Sequence, residues 1–290
     1  MSSATLPALA LPGKTKLAWG NRRSRTVLTI VLCLLILGAV FVGSYALGEN
    51  GLKTALTARN QAPQLNHLFG TDWLGRDMLT RTLRGLSLSL MVGLLAATIS
   101  AVLGLLLGAL SAMLGGKVDL LITWVIDLFF SLPHLVLLIL ISFTLGGGLR
   151  GVIIAVAVTH WPGLARIMRA EVLQLKSADY IQLSARLGHS PAWIARHHML
   201  PHLIPQFLVG LILLFPHAIL HEAGLTFVGI GLSPHTPAIG IILAESMRYL
   251  STGYWWLAVL PGAALLVVVK LFDILGENVR TLIDPKTSQE

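Results

Sequence analysis

From Leu86 to Leu114 the chain carries no charged residue, and the same holds from Thr26 to Leu47. A helix needs about 20 apolar residues to cross a hydrocarbon layer of roughly 30 Å. Within lipid each backbone N–H and C=O must find its partner inside the protein, so runs of this length fold as helices. Composition agrees: 55% of the residues are hydrophobic and 12% are charged, about half the charged share of a soluble domain. The expected fold class is all-α, a polytopic membrane protein with six transmembrane helices.

The first span is Thr26 to Leu47 and the second Leu86 to Leu114, whose Gly and Ala content permits close helix packing. The third runs from Leu120 to Leu145, interrupted by Asp127 and by Pro133-His134. The fourth is short, Gly151 to Ala165, with His160 and Pro162 near its end. A fifth starts near Leu203 and carries Pro216, His217 and His221; the sixth covers Trp255 to Phe272, with a Trp pair suited to a membrane interface. An even number of spans puts both termini on one side. Lys14, Lys16, Arg22, Arg23 and Arg25 make that side cytoplasmic. The resulting organisation is a cytoplasmic tail at 1–25, a first helix at 26–47, an external loop at 48–85, a core domain at 86–285 and a cytoplasmic tail at 286–290. The external loop also holds Lys53, Arg59, Arg76, Arg81 and Arg84, so the charge asymmetry is partial.

Several classes are set aside. The first apolar stretch exceeds the roughly 7–15 residues of a signal-peptide core and reads as a retained span. The net charge of +8 is assigned to topology, not to nucleic acid. A single cysteine, Cys33, supports neither an intrachain disulfide nor a cysteine metal cluster. Pro12-Gly-Lys-Thr15 has the tail of a P-loop, but Ala8 stands where the first glycine belongs.

Between the fourth and fifth spans lies a polar island. Ala178 to Gly188 and His189 to Pro201 read as two short helices with a tight break. Gly188 suits the left-handed residue that ends the first helix. Ser190 is a good N-cap and Pro191 sits at the tolerated first position of the second. Leu200-Pro201 is expected to stop that helix or bend the chain back into the bilayer. A helical hairpin held at the membrane surface is a docking element.

The island resembles the coupling motif of ATP-binding cassette (ABC) importer permeases. Gly188 and Leu200-Pro201 stand at the family spacing, with Gln182-Leu183-Ser184 at the Glu-Ala-Ala positions and His198 at the isoleucine position. Phe69 to Arg81 is similar to the external-loop signature of the dipeptide, oligopeptide and nickel permeases, C-type subunit, and Gly85 to Leu90 continues it. Glu222 to Leu232 and Leu271 to Pro285 match two further family segments. The resemblance, over roughly residues 26–285, implies a type I ABC importer permease fold with a cytoplasmic coupling helix. It also implies a bacterial plasma (inner) membrane location, a homologous second permease subunit, two ATPase subunits and an external solute-binding protein. Tyr180, Gln182, Gly188, Ser190, Pro191, Leu200 and Pro201 would couple to the ATPases. ATP and Mg would be used by those partners, with no cofactor bound by this chain, no catalytic residue in it, membrane lipid around it and no nucleic acid.

His217 and His221, four residues apart, share a helix face, and Glu222 follows. Paired imidazoles can bind a divalent metal, line a path, or only pack. With Ser233 to Gly240 they give the chain the look of the nickel and metallophore branch, so the expected cargo is nickel or a metal chelate. Di- or oligopeptides are the alternative, and a proton-coupled secondary transporter using Asp127, His160 and the 217/221 pair is a third reading. Asp127 is either a path residue or a helix–helix hydrogen-bonding group. His134 behind Pro133 marks a kink. His197, His198 and His202 read as interfacial polar groups. Asp72, Arg76 and Asp77 are expected to brace the external loop or contact the binding protein.

Overall fold

The computed structural model describes residues 22–283. The P-loop-like Pro12–Thr15, most of the N-terminal tail, Asp284-Pro285 and the 286–290 tail lie outside that range. The chain is a helical bundle: α1 (Arg22–Ala46), α2 (Met78–Leu114), α3 (Gly116–Ser131), α4 (His134–Thr144), α5 (Gly148–Ser177), α6 (Asp179–Arg186), α7 (Pro191–Ile194), α8 (Leu200–Phe227), α9 (Ile239–Leu250) and α10 (Trp256–Ile283). Five helical runs are long and apolar enough to cross a membrane. α3 and α4 are long and apolar enough only as a pair, a broken span or a re-entrant loop, and they meet at 100°. Leu132 is extended (ψ 143°) ahead of Pro133, because a proline ring crowds the helical conformation of the residue before it.

Several spans are longer than the apolar runs alone imply. α2 begins at Met78, eight residues before Leu86, because Asp77 caps it: its carboxylate accepts from the Thr80 N–H at 2.8 Å. α5 does not end at Ala165 but runs on through Pro162 to Ser177. Its polar last part is held by ion pairs to α3, Arg169 to Asp119 at 2.6 Å and Arg166 to Asp127 at 2.5 Å. α10 likewise extends past Phe272 to Ile283.

The centre of the bundle is α2 packed along α5. A Cβ added to Gly104 would stand 3.0 Å from the Leu164 Cβ, and one added to Gly108 would press on the Ala165 backbone. These two glycines, four apart on one face, let the helices approach where apolar burial from lipid gives little drive to associate. Around them Ala96, Val152, Val156, Ile219 and Leu257 are fully buried, joining α2, α5, α8 and α10 in one core.

Candidate functional site

The polar island folds as a capped hairpin. Gly188 has φ +89°, its N–H donates to the Ala185 carbonyl at 3.1 Å, and the His189 N–H reaches the Ser184 carbonyl at 3.3 Å. That pair of bonds is the Schellman ending of α6. The Ser190 hydroxyl oxygen then accepts from the Trp193 N–H at 3.3 Å, and Pro191 opens α7. Ile181, Ser184 and Ile194 face inward, the two isoleucines packing with Met168, Val172 and Leu175 of α5. Tyr180, Leu183 and Leu187 face outward. The result is a hairpin fixed on one side and presenting apolar side chains on the other, the form of a partner contact. Gln182 donates to the Ser177 carbonyl at 3.2 Å, tying α6 to the end of α5.

Leu200-Pro201 does not stop the second helix. A π turn over Ala195–Met199 joins α7 to α8, so Pro191–Phe227 is one helical run. Proline lacks an N–H and its ring crowds the carbonyl one turn back. The wider π turn meets both demands at this junction. The hairpin is therefore continuous with α8, with no loop between them. On its outer side the Trp193 ring lies between those of His189 and His197, with centroids at 3.8 and 4.4 Å.

In the 48–77 loop, Asp72 is fully buried. Its carboxylate accepts from Arg76 Nε and Arg81 Nη1, both at 2.7 Å, and from the N–H groups of Leu74 and Arg76. Arg81 reaches on to Glu245 of α9 at 2.7 Å. Trp73 stacks on Tyr249 at 5.0 Å between centroids, and both guanidinium groups lie over its ring. Asp77, besides capping α2, meets His67 Nδ1 at 3.0 Å. Asp72, Arg76 and Asp77 are thus brought together, and the structure adds Trp73, Arg81 and Glu245. Arg81 stands inside the signature segment, but nothing local pointed to Glu245.

The histidines regroup. His221 of α8 meets His134, at the first position of α4, and His160 of α5, with ring centroids 4.7 and 5.0 Å away and the other two 4.7 Å apart. One ring nitrogen from each lies within 4.8 Å of the others. His217, one turn before His221, is exposed and outside this trio, near enough to act on all three electrostatically. Glu222 points the other way into the core: one oxygen accepts from Thr226 at 3.0 Å, and the Thr226 hydroxyl oxygen accepts from the Leu232 N–H at 3.3 Å. That arrangement anchors the loop after α8. Asp127 pairs with the exposed Arg166, on a different part of α5 from His160.

Residues 100–289 match the family described as "Binding-protein-dependent transport system inner membrane component". The dipeptide transport system permease protein of Bacillus subtilis is 32% identical over 92% of this chain and 82% of its own length. A putative peptide transport system permease protein of Brucella suis is 37% identical over 93% of this chain and 90% of its own. The probable D,D-dipeptide permease of Escherichia coli is 33% identical over 93% and 91%. Among solved structures, an inward-facing form of the MetNI methionine ABC transporter aligns with a TM-score of 0.60 at 20% identity, covering 71% of this chain and 98% of that one. The structural likeness speaks for the fold.

Proposed function

The chain belongs to the binding-protein-dependent transport inner membrane component family and is an ABC importer permease subunit, and from that premise we propose that its cargo is a di- or oligopeptide. The observation that carries the cargo is that relatives aligned over more than nine-tenths of this chain are named as peptide permeases. The nickel or metal-chelate expectation drew on His217 and His221 with the segment Ser233 to Gly240, and no relative named above is a metal permease. Peptide is therefore the reading preferred here.

The rest of the machine follows from the family reading. A homologous second permease completes the path, an external solute-binding protein delivers the peptide, and two ATPases, using ATP and Mg, grip the α6–α7 hairpin. With both termini cytoplasmic, the braced 48–77 loop faces outside. Closure of the ATPases pushes the hairpin, and the unbroken run from α7 into α8 carries the displacement to the core. The chain's own part is to bind, orient and gate. ATP hydrolysis rests with the partners.

The test is uptake of a labelled dipeptide in cells carrying or lacking this gene and its transport partners. Gene-dependent uptake that needs ATP and survives collapse of the proton gradient is expected. Loss on collapse would point to a proton-coupled transporter. Gene-dependent uptake of nickel without uptake of dipeptide would restore the metal reading.

A further inference from the structure

Three histidines from three separate helices converge in this bundle, and nothing in the coupling hairpin, the braced loop or the core packing requires them to. His134 opens α4 directly after the break at Pro133, His160 lies midway along α5, and His221 lies near the end of α8. Their rings are mutually tilted, by 84°, 59° and 62°, so they do not form a flat stack. One nitrogen from each is within 4.8 Å of the other two.

A second observation concerns the proton on His160. Its Nδ1 is 2.8 Å from the Val156 carbonyl, an acceptor only, so Nδ1 carries the hydrogen and donates it there. The neutral ring then offers a lone pair at Nε2. That atom is buried and has no hydrogen-bond partner. A backbone carbonyl on the far nitrogen is the support that orients metal-binding imidazoles and raises their basicity. An unpaired polar nitrogen at membrane depth is also costly unless something occupies it.

We propose that His134, His160 and His221 form a binding site for one divalent transition-metal ion of the borderline class, such as Zn²⁺, Co²⁺ or Ni²⁺. Imidazole suits these ions, and three nitrogens leave a further position open for water or for a donor atom of a passing solute. Metal–nitrogen bonds of about 2.0–2.1 Å in a tetrahedral set place the nitrogens about 3.3 Å apart. Binding would therefore draw the nitrogens together by at most about 1.5 Å, a closure within the reach of side-chain rotation. All three residues are partly exposed on the single chain. Bound metal would join α4, α5 and α8. The inference stands on these residues alone and does not depend on which solute is carried.

The experiment uses the full-length chain purified from membranes with the subunits that accompany it, stripped with chelator and titrated with Co²⁺ and Zn²⁺. The expected result is one tight site per chain, with a Co²⁺ visible spectrum of a low-coordinate nitrogen site. His134→Gln, His160→Gln and His221→Gln should each weaken binding at least ~100-fold, the loss of a direct ligand exceeding the 10–100-fold typical of supporting groups. His197→Gln and His198→Gln, in the coupling hairpin, should leave it unchanged. His160→Cys guards against misfolding: it should retain Zn²⁺ binding and add a thiolate-to-Co²⁺ charge-transfer band. Absence of a stoichiometric site in the wild type would overturn the proposal. So would binding that survives all three glutamine variants, or that depends on the hairpin histidines instead.

Discussion

Replacing Asp72 by Ala should destabilise this permease by about 3 kcal/mol, the low end of the cost of stranding a buried charge. The carboxylate is fully buried and is the common acceptor for two guanidinium groups at 2.7 Å and two backbone N–H groups at 2.9 Å. Its removal leaves Arg81, only 4% exposed, without one of its two partners. Glu245 remains at 2.7 Å and keeps the cost from the upper end of the range. Asp72→Asn keeps the shape and one acceptor oxygen. It should cost about half as much, since charge-assisted hydrogen bonds contribute about 1.5–3 kcal/mol and neutral ones about 1. The assay is unfolding of the purified permease in mixed micelles of rising denaturing-detergent fraction, run as a double-mutant cycle with Arg81→Met. Because the two side chains share one network, their effects should be non-additive by about 1–3 kcal/mol. Additivity within ~0.5 kcal/mol, or an Asp72→Ala protein as stable as the parent, would refute the assignment of this residue as the loop's brace.

Two further outcomes follow from the hairpin and the topology. At Gly188 there is open space where a Cβ would stand, so Gly188→Ala should cost only the left-handed backbone term of about 1–2 kcal/mol. Gly188→Pro forbids the turn and deletes the N–H that reaches Ala185, so it should leave membrane abundance intact while ATPase activity no longer drives uptake; normal uptake would sink the coupling role. A cysteine at Asn60 should react with an impermeant reagent from outside intact cells and one at Ser190 should not, over a low background because the native Cys33 is buried; reversed labelling would invert the orientation.

Much of this architecture is local and was legible in one dimension. Uncharged runs of bilayer length specify helices because lipid offers no other partner to the backbone. The hairpin turn was legible for the same kind of reason. Only glycine takes φ +89° without strain, and Ser190-Pro191 is a helix start whatever surrounds it. Local rules failed where a distant partner intervened. Leu200-Pro201 looked like a stop, but a π turn carried the helix through it. α2 and α5 outran their apolar segments because Asp77, and the Asp119 and Asp127 pairs, held their polar ends.

What the tertiary structure alone decided is which side chains meet. His217 and His221 share a helix face by arithmetic, yet the trio that forms is His134, His160 and His221. That choice depends on the 100° bend at Leu132-Pro133 and on the packing of α4 against α5 and α8. Glu245 reaches Arg81 across 164 residues of chain for the same reason. Helix periodicity sets angles within one element. The angles between elements come from how glycine faces such as Gly104 and Gly108 seat against their neighbours, and a sequence holds that information only through the packed whole.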